Sequence, residues 1–132
     1  MSITFETKLS KKIQGLRIIT PSVFEESRGS IWTSYNSEQL ETYLPEGLFF
    51  KHDKFSCSKH NVLRGIHGDN KSWKLVSCIS GSIMQVVVDM RPSSSTYLAH
   101  ECFDLGSHNH QMILIPPKLG NAFYVYSESA IY

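Results

Sequence analysis

Short runs of alternating or β-branched residues, each cut off by glycine, proline or serine, recur along the whole chain. Residues 16–20 (LRIIT) alternate and run into Pro21, and residues 30–35 (SIWTSY) follow Arg28-Gly29. Residues 49–55 mix aromatic and charged positions in a further strand-like run. Residues 74–79 (KLVSCI) end at Ser80-Gly81-Ser82 and residues 83–90 (IMQVVVDM) follow at once, which predicts a hairpin. Residues 97–104 alternate, with Leu98, His100, Cys102 and Asp104 on one face. Residues 111–115 (QMILI) lead into Pro116-Pro117, and residues 122–127 (AFYVYS) form the last clear run. Only residues 37–43 (SEQLETY) read as helix, with Ser37 as N-cap. Short strands at near-regular spacing predict an all-β sandwich or barrel. A double-sheet jelly roll is the preferred form, because its mouth holds a small ligand. No repeat, low-complexity tract or linker interrupts the pattern, so residues 1–132 are expected to form one domain.

Composition narrows the function. The chain has 132 residues, 41% apolar and 19% charged, enough for one domain with a real core. A net charge of +1 gives no electrostatic reason to expect nucleic acid or an anionic membrane as partner. An anionic ligand must therefore be held by a local cluster of positive groups. No apolar run approaches the roughly 18–20 residues that span a bilayer, and the opening MSITFETKLSKK lacks the apolar core of a signal peptide. Cys57, Cys78 and Cys102 have no CxxC spacing. They are expected to be free, buried thiols in a reducing cytoplasm, with no zinc between them.

The chemistry concentrates in residues 62–91, VLRGIHGDNKSWKLVSCISGSIMQVVVDMR. His67 lies between Arg64 and Lys74, and the stretch runs on to Asp89. Four ionisable groups around one spot suit a site that handles a carbonyl. Three residues separate Arg64 from His67, which puts them on opposite faces of an ideal strand. A bulge at Gly65 would bring both inward. A different chemistry is suggested by His108-Asn109-His110, whose two imidazoles would share a strand face and suit a metal-dependent enzyme. The pair follows a turn-like Gly106-Ser107, however, and no carboxylate comes after it at short spacing.

The segments VLRGIHGD, WKLVSCISG, VVVDMR, ILIPPKLGNAF and YVYSESA, in that order, resemble the nucleotide-sugar 3,5-epimerase family, that of dTDP-4-dehydrorhamnose 3,5-epimerase. Upstream, FEESRGSIW (24–32) and FKHDKFSCSKHNVLRGIH (50–67) extend the resemblance over residues 12–132. It implies a cupin-type double-stranded β-helix, a jelly roll, that inverts carbons beside the C4 ketone of a nucleotide-linked sugar without metal or nicotinamide. Such a reaction needs a base, a stabiliser for the enolate oxygen, and an acid on the opposite face. The resemblance gives the base to His67, an imidazole suited to proton transfer near neutral pH, and the oxyanion role to Lys74. It assigns Arg64 to substrate phosphate or the enolate. Arg28 is expected to reach the diphosphate, often across a dimer, where a guanidinium fork suits phosphate. His52 stands where the family usually has glutamine, facing the sugar or nucleotide, and Asn121 stands at a family histidine. Asp89 is expected to orient or balance His67 or Arg64.

The GIHGD and GNAF variants look closer to the branch acting on GDP-linked 4-keto heptoses than to the rhamnose branch, which usually has an aromatic after the histidine. A 3,4-ketoisomerase of the same fold typically has a second histidine where Gly68-Asp69 stands. By family spacing the opposing acid, a tyrosine, falls two positions past Tyr132, and the family's last strands also lie beyond the sequence. A two-residue step moves a side chain about 6–7 Å along a strand, so Tyr132 is not expected to be its equivalent. A shortened or non-catalytic sugar-nucleotide binder is therefore a competing expectation. The partners implied are a nucleotide diphosphate sugar and a second copy of the chain, with no nucleic acid and no membrane. The setting implied is surface-polysaccharide sugar biosynthesis in the cytoplasm.

Overall fold

A computed structural model describes residues 2–132. Twelve strands form two four-stranded antiparallel sheets and two small ribbons. The first sheet runs β1 (Phe5–Leu9), β2 (Arg17–Pro21), β10 (Met112–Ile115), β7 (Lys74–Ser77). The second runs β6 (Leu63–His67), β11 (Leu119–Val125), β8 (Ser82–Asp89), β9 (His100–Gly106). β3 (Val23–Glu26) pairs with β4 (Gly29–Trp32), and β5 (Cys57–Lys59) pairs with β12 (Ser129–Ile131). The expected jelly roll is what forms.

The side-chain period of two explains how the sheets stack. Along β8, Ile83, Gln85, Val87 and Asp89 are buried while the residues between them are only half covered. Ile83 and Val87 meet Ile18, Ile113 and Ile115 of the first sheet in one core. Each such fully buried aliphatic contributes about 1.5–3 kcal/mol. The first sheet is apolar on both faces. Its outer residues Ile19, Met112 and Leu114 pack under Leu40 and Leu44 of the helical segment, which is why β10 reads as an unbroken apolar run.

Several expectations change. No hairpin joins residues 74–79 to 83–90: β7 pairs with β10, and the chain crosses at Ser80-Gly81 to the other sheet, where β8 lies between β11 and β9. The segment 49–55 is irregular rather than a strand. The helix is a single turn, α1 (Ser37–Leu40), continued by a 3-10 turn over Glu41–Tyr43. Its N-cap is Asn36, whose side-chain oxygen accepts from the Gln39 N–H at 3.1 Å. Cys57 and Cys102 are exposed, and only Cys78 is buried. The inward residue of short β5 is Ser58, and Cys102 lies opposite Val86 on the outer face of the second sheet.

Asp89 anchors one end of the barrel. Its side chain is completely buried, and its carboxylate accepts from Arg91 Nε at 2.8 Å, Arg91 Nη2 at 3.0 Å, Ser94 Oγ at 2.7 Å and Thr96 Oγ1 at 2.6 Å. Burial alone would raise this carboxyl, but the Arg91 guanidinium, the two hydroxyls and the Arg91 N–H outweigh it and hold the group well below the usual carboxylate range. A group with a depressed folded-state pKa stabilises the fold above its unfolded value and loses that contribution as the pH falls. Asp89→Ala is therefore expected to cost roughly 3–5 kcal/mol in urea unfolding at pH 7. The gap from the wild type should narrow as pH falls below about 4; a gap that stays constant with pH would contradict the assignment.

Candidate active site

His67 and Lys74 are brought to the same side of the molecule by edge strands. β6 ends the second sheet and β7 ends the first, and the turn 68–73 joins them. His67 lies opposite Asn121 in the ladder, and Asn121 lies opposite Val87, so the imidazole starts from the inner face. Lys74 lies opposite Ile115, a core residue, so its side chain also starts from the inner face. Both remain accessible, His67 exposed and Lys74 half-buried, each on the edge strand of its sheet among the described residues.

The expected bulge is present. Asn121 pairs with His67 and Phe123 with Arg64, so three steps along β6 match two along β11. The extra residue puts Arg64 and His67 on the same inner face. Gly65 makes this possible. Its φ is +133°, and a Cβ there would sit 2.4 Å from the Ala122 Cβ. Gly68 allows a second close approach, since its Cβ would lie 2.5 Å from the Leu119 carbonyl oxygen.

Around this centre, Asn121 is buried and its Nδ2 donates to the His67 carbonyl at 3.2 Å. It thus holds the backbone under the imidazole. Arg64 Nε donates to Ser58 Oγ at 2.9 Å. Asp69 Oδ1 accepts from the N–H groups of Lys71, at 2.8 Å, and Ser72, at 2.6 Å, which closes the turn between His67 and Lys74. These N–H groups, with the Ser72 hydroxyl and the nearby Lys74 charge, draw the Asp69 carboxyl down to about 2. The Asp69 carbonyl accepts from the Lys118 N–H at 2.8 Å, tying the turn to the start of β11.

Other expected site residues lie elsewhere. Asp89 shares the inner face, but its oxygens are taken by Arg91, Ser94 and Thr96, so it clips the following loop and does not orient His67 or Arg64. Arg28 sits at the exposed tip of the β3–β4 ribbon, paired with Glu26 at 2.6 Å. His52 is exposed in the irregular 49–55 segment. The structure of one chain brings neither to His67. His108 and His110 diverge: His108 Nε2 is 3.4 Å from Asp104, and the His110 ring stacks on Trp32 at 3.8 Å. Tyr132 points into the core, stacked on Phe123 at 4.0 Å, with its hydroxyl donating to Gln85 Oε1 at 2.8 Å. Burial pushes its hydroxyl well above the usual tyrosine range.

Ser58 and Asp69 were not singled out from the sequence. DNKS has the composition of a turn closed by its own aspartate. Nothing local marks Ser58, whose partner stands six residues away on another strand.

A jelly roll whose two edge strands start Arg64, His67 and Lys74 from the inner faces of the two sheets has the architecture of a cupin. A sequence profile of the dTDP-4-dehydrorhamnose 3,5-epimerases matches residues 10–132. The chain belongs to that family. It is 36% identical over 121 residues to the dTDP-4-dehydrorhamnose 3,5-epimerase of Salmonella typhimurium, covering 89% of this chain and 66% of that one. A solved dTDP-6-deoxy-D-glucose-3,5-epimerase from Legionella pneumophila, in complex with dTDP-4-keto-L-rhamnose, superposes with a TM-score of 0.86 at 30% identity, covering 98% of this chain and 69% of that one. A 4-keto-6-deoxy sugar epimerase from the novobiocin cluster of Streptomyces spheroides gives a TM-score of 0.88 at 26% identity, over 97% and 65%. The chain thus spans about two-thirds of the length of the relatives it matches.

The geometry of Tyr132 makes a direct prediction. Tyr132→Phe removes one hydroxyl and leaves Gln85 Oε1 without its donor, so unfolding in urea should show a loss of about 1–2 kcal/mol. A stability equal to that of the wild type would contradict the hydrogen bond to Gln85.

Proposed function

We propose that this protein removes the proton beside the C4 ketone of a nucleoside-diphosphate sugar and so epimerises C3, C5 or both. The observation that supports this reading is that His67 and Arg64 on β6 and Lys74 on β7 all start from the inner faces of the two sheets, on the edge strands that the turn 68–73 joins. His67 takes the proton from the carbon next to the ketone. The C–H electron pair forms the new C=C bond, and the carbonyl π pair moves to oxygen as an enolate. The Lys74 ammonium donates to that oxygen. Return of a proton from the opposite face inverts the centre. A positioned base is worth about 10²–10⁴-fold, and a donor aimed at the developing oxyanion about 10²–10³-fold.

Asn121 holds the backbone of the base, and Arg64 offers its guanidinium to substrate anion. Arg28 and His52 serve the nucleotide end, Arg28 from a second copy of the chain in a homodimer. The Salmonella typhimurium relative is named for a dTDP sugar and the Legionella pneumophila structure carries one bound, which makes dTDP the first nucleotide to test. Gly68-Asp69 after the histidine makes a GDP-linked 4-keto heptose the second. The setting is cytoplasmic sugar-nucleotide synthesis for surface polysaccharide. Among the described residues no helix is long and apolar enough to cross a membrane.

Binding without chemistry is the competing reading, favoured by the engagement of the Tyr132 hydroxyl with Gln85. Incubation with dTDP-4-keto-6-deoxyglucose in deuterated water separates the two, since exchange reports the base step whichever group returns the proton. Deuterium is expected at C3 or C5, unaffected by a chelator. It should be slowed about 10²–10⁴-fold by His67→Ala and about 10²–10³-fold by Lys74→Ala. Nucleotide binding with no label from either nucleotide series would decide for the binder.

A further inference from the structure

The chain has four arginines, and three are committed. Arg28 pairs with Glu26 at 2.6 Å, Arg91 with Asp89 at 2.8 Å, and the Arg17 guanidinium lies over the Tyr43 ring at 4.0 Å. Arg64 alone has neither a carboxylate nor an aromatic partner among the described residues. Its one side-chain hydrogen bond among the described residues goes to a neutral hydroxyl, Ser58 Oγ, which accepts from Nε at 2.9 Å.

That hydroxyl is unusual in its setting. Ser58 is 5% exposed, one of only four buried polar or charged residues among those described. It is the inward residue of a three-residue strand whose other members, Cys57 and Lys59, are exposed. Its place is fixed by pairing with Ala130 of β12, itself in the core. A rigid acceptor thus meets a long side chain that carries no counter-charge.

The consequence follows from the shape of guanidinium. A hydrogen bond at Nε fixes the plane of the group and leaves both terminal nitrogens as a free fork, the geometry that recognises phosphate in two-point fashion. An aspartate at position 58 would neutralise the cation, whereas a serine orients it and leaves the charge intact. We propose that Ser58 is a positioning residue that holds Arg64 with its terminal nitrogens turned to the diphosphate of the nucleotide sugar. This rests on the reading of the rim as a sugar-nucleotide site.

Two measurements test it separately. In the nitrogen-15 spectrum of the ligand-free protein, the Arg64 Nε–H should be a sharp, slowly exchanging signal. Ser58→Ala should broaden it and Ser58→Thr, which keeps a hydroxyl, should retain it. A signal equally sharp in the alanine variant overturns the orientation, and no nucleotide is needed to see it. Calorimetry with dTDP then reads the consequence. Ser58→Ala should weaken binding about 5–10-fold, the size expected for one lost hydrogen bond acting through another group. Ser58→Thr should restore it. In an Arg64→Ala background, Ser58→Ala should add nothing, because the two act as one unit. An equal loss in both backgrounds would make Ser58 a purely structural residue and overturn the proposal. A wild-type protein with sharp Arg64 Nε–H but no affinity for dTDP or GDP would overturn the diphosphate assignment and the sugar-nucleotide reading together, leaving the orientation standing.

Discussion

One extra residue in β6 governs the arrangement of the rim. Without the register shift between the Asn121 and Phe123 pairings, Arg64 and His67 would point to opposite faces of the second sheet. The shift needs backbone almost in contact with backbone. Gly65 lies where any side chain would overlap Ala122, and its φ is one that residues with a Cβ rarely adopt. The neighbour opposite is correspondingly small. Asn121, next along β11, then uses its amide to hold the carbonyl of His67. Glycine, alanine and asparagine together convert an ordinary edge strand into a platform for two inward cations or bases.

The other sheet supplies the second half of the candidate site. Lys74 shares the inner face of β7 with Val76, and β7 pairs in turn with the apolar β10. The Asp69 turn spans the gap between the sheets with two hydrogen bonds to its own backbone and one tie to β11. Its carboxylate also lies near the Lys74 ammonium, which keeps a negative charge beside a cation at the mouth. Placing ionisable groups at a rim, and not in the closed core, avoids the several kcal/mol that full desolvation of each charge would cost. The one fully buried charge in this region of the fold, Asp89, is compensated by a complete set of donors.

Much of this was visible in the sequence, for identifiable reasons. β8 and β10 were legible because β-branched and apolar residues dominate both, and the fold class followed from the spacing of such runs. The pairing of β7 was not legible. A Ser-Gly-Ser turn has the same local chemistry whether the chain folds back on itself or crosses to the facing sheet, and only the registers of Lys74 with Ile115 and of Val86 with Ala122 distinguish them. β5 and β12 have three residues each, too few to show a period. Residues 49–55 imitated a strand because Phe50 packs inward while Phe49 and Phe55 stay exposed. Family motifs singled out His67 and Lys74, and the glycine between Arg64 and His67 pointed to the bulge. Asp89 was misplaced because its partners come from the loop that follows it, where the serines and threonine of RPSSST were the available signal. Cys57 and Cys102 were misjudged because a general preference for burial says nothing about which face of a strand each occupies.

β6 and β7 each pair on one side only, so the main-chain groups along their outer margins carry no ladder partner. Those same two strands bear the imidazole and the ammonium. A segment that paired with either margin and changed the freedom of the backbone beneath these two side chains would, by thermodynamic reciprocity, attach more or less tightly when that freedom is changed from the inner face.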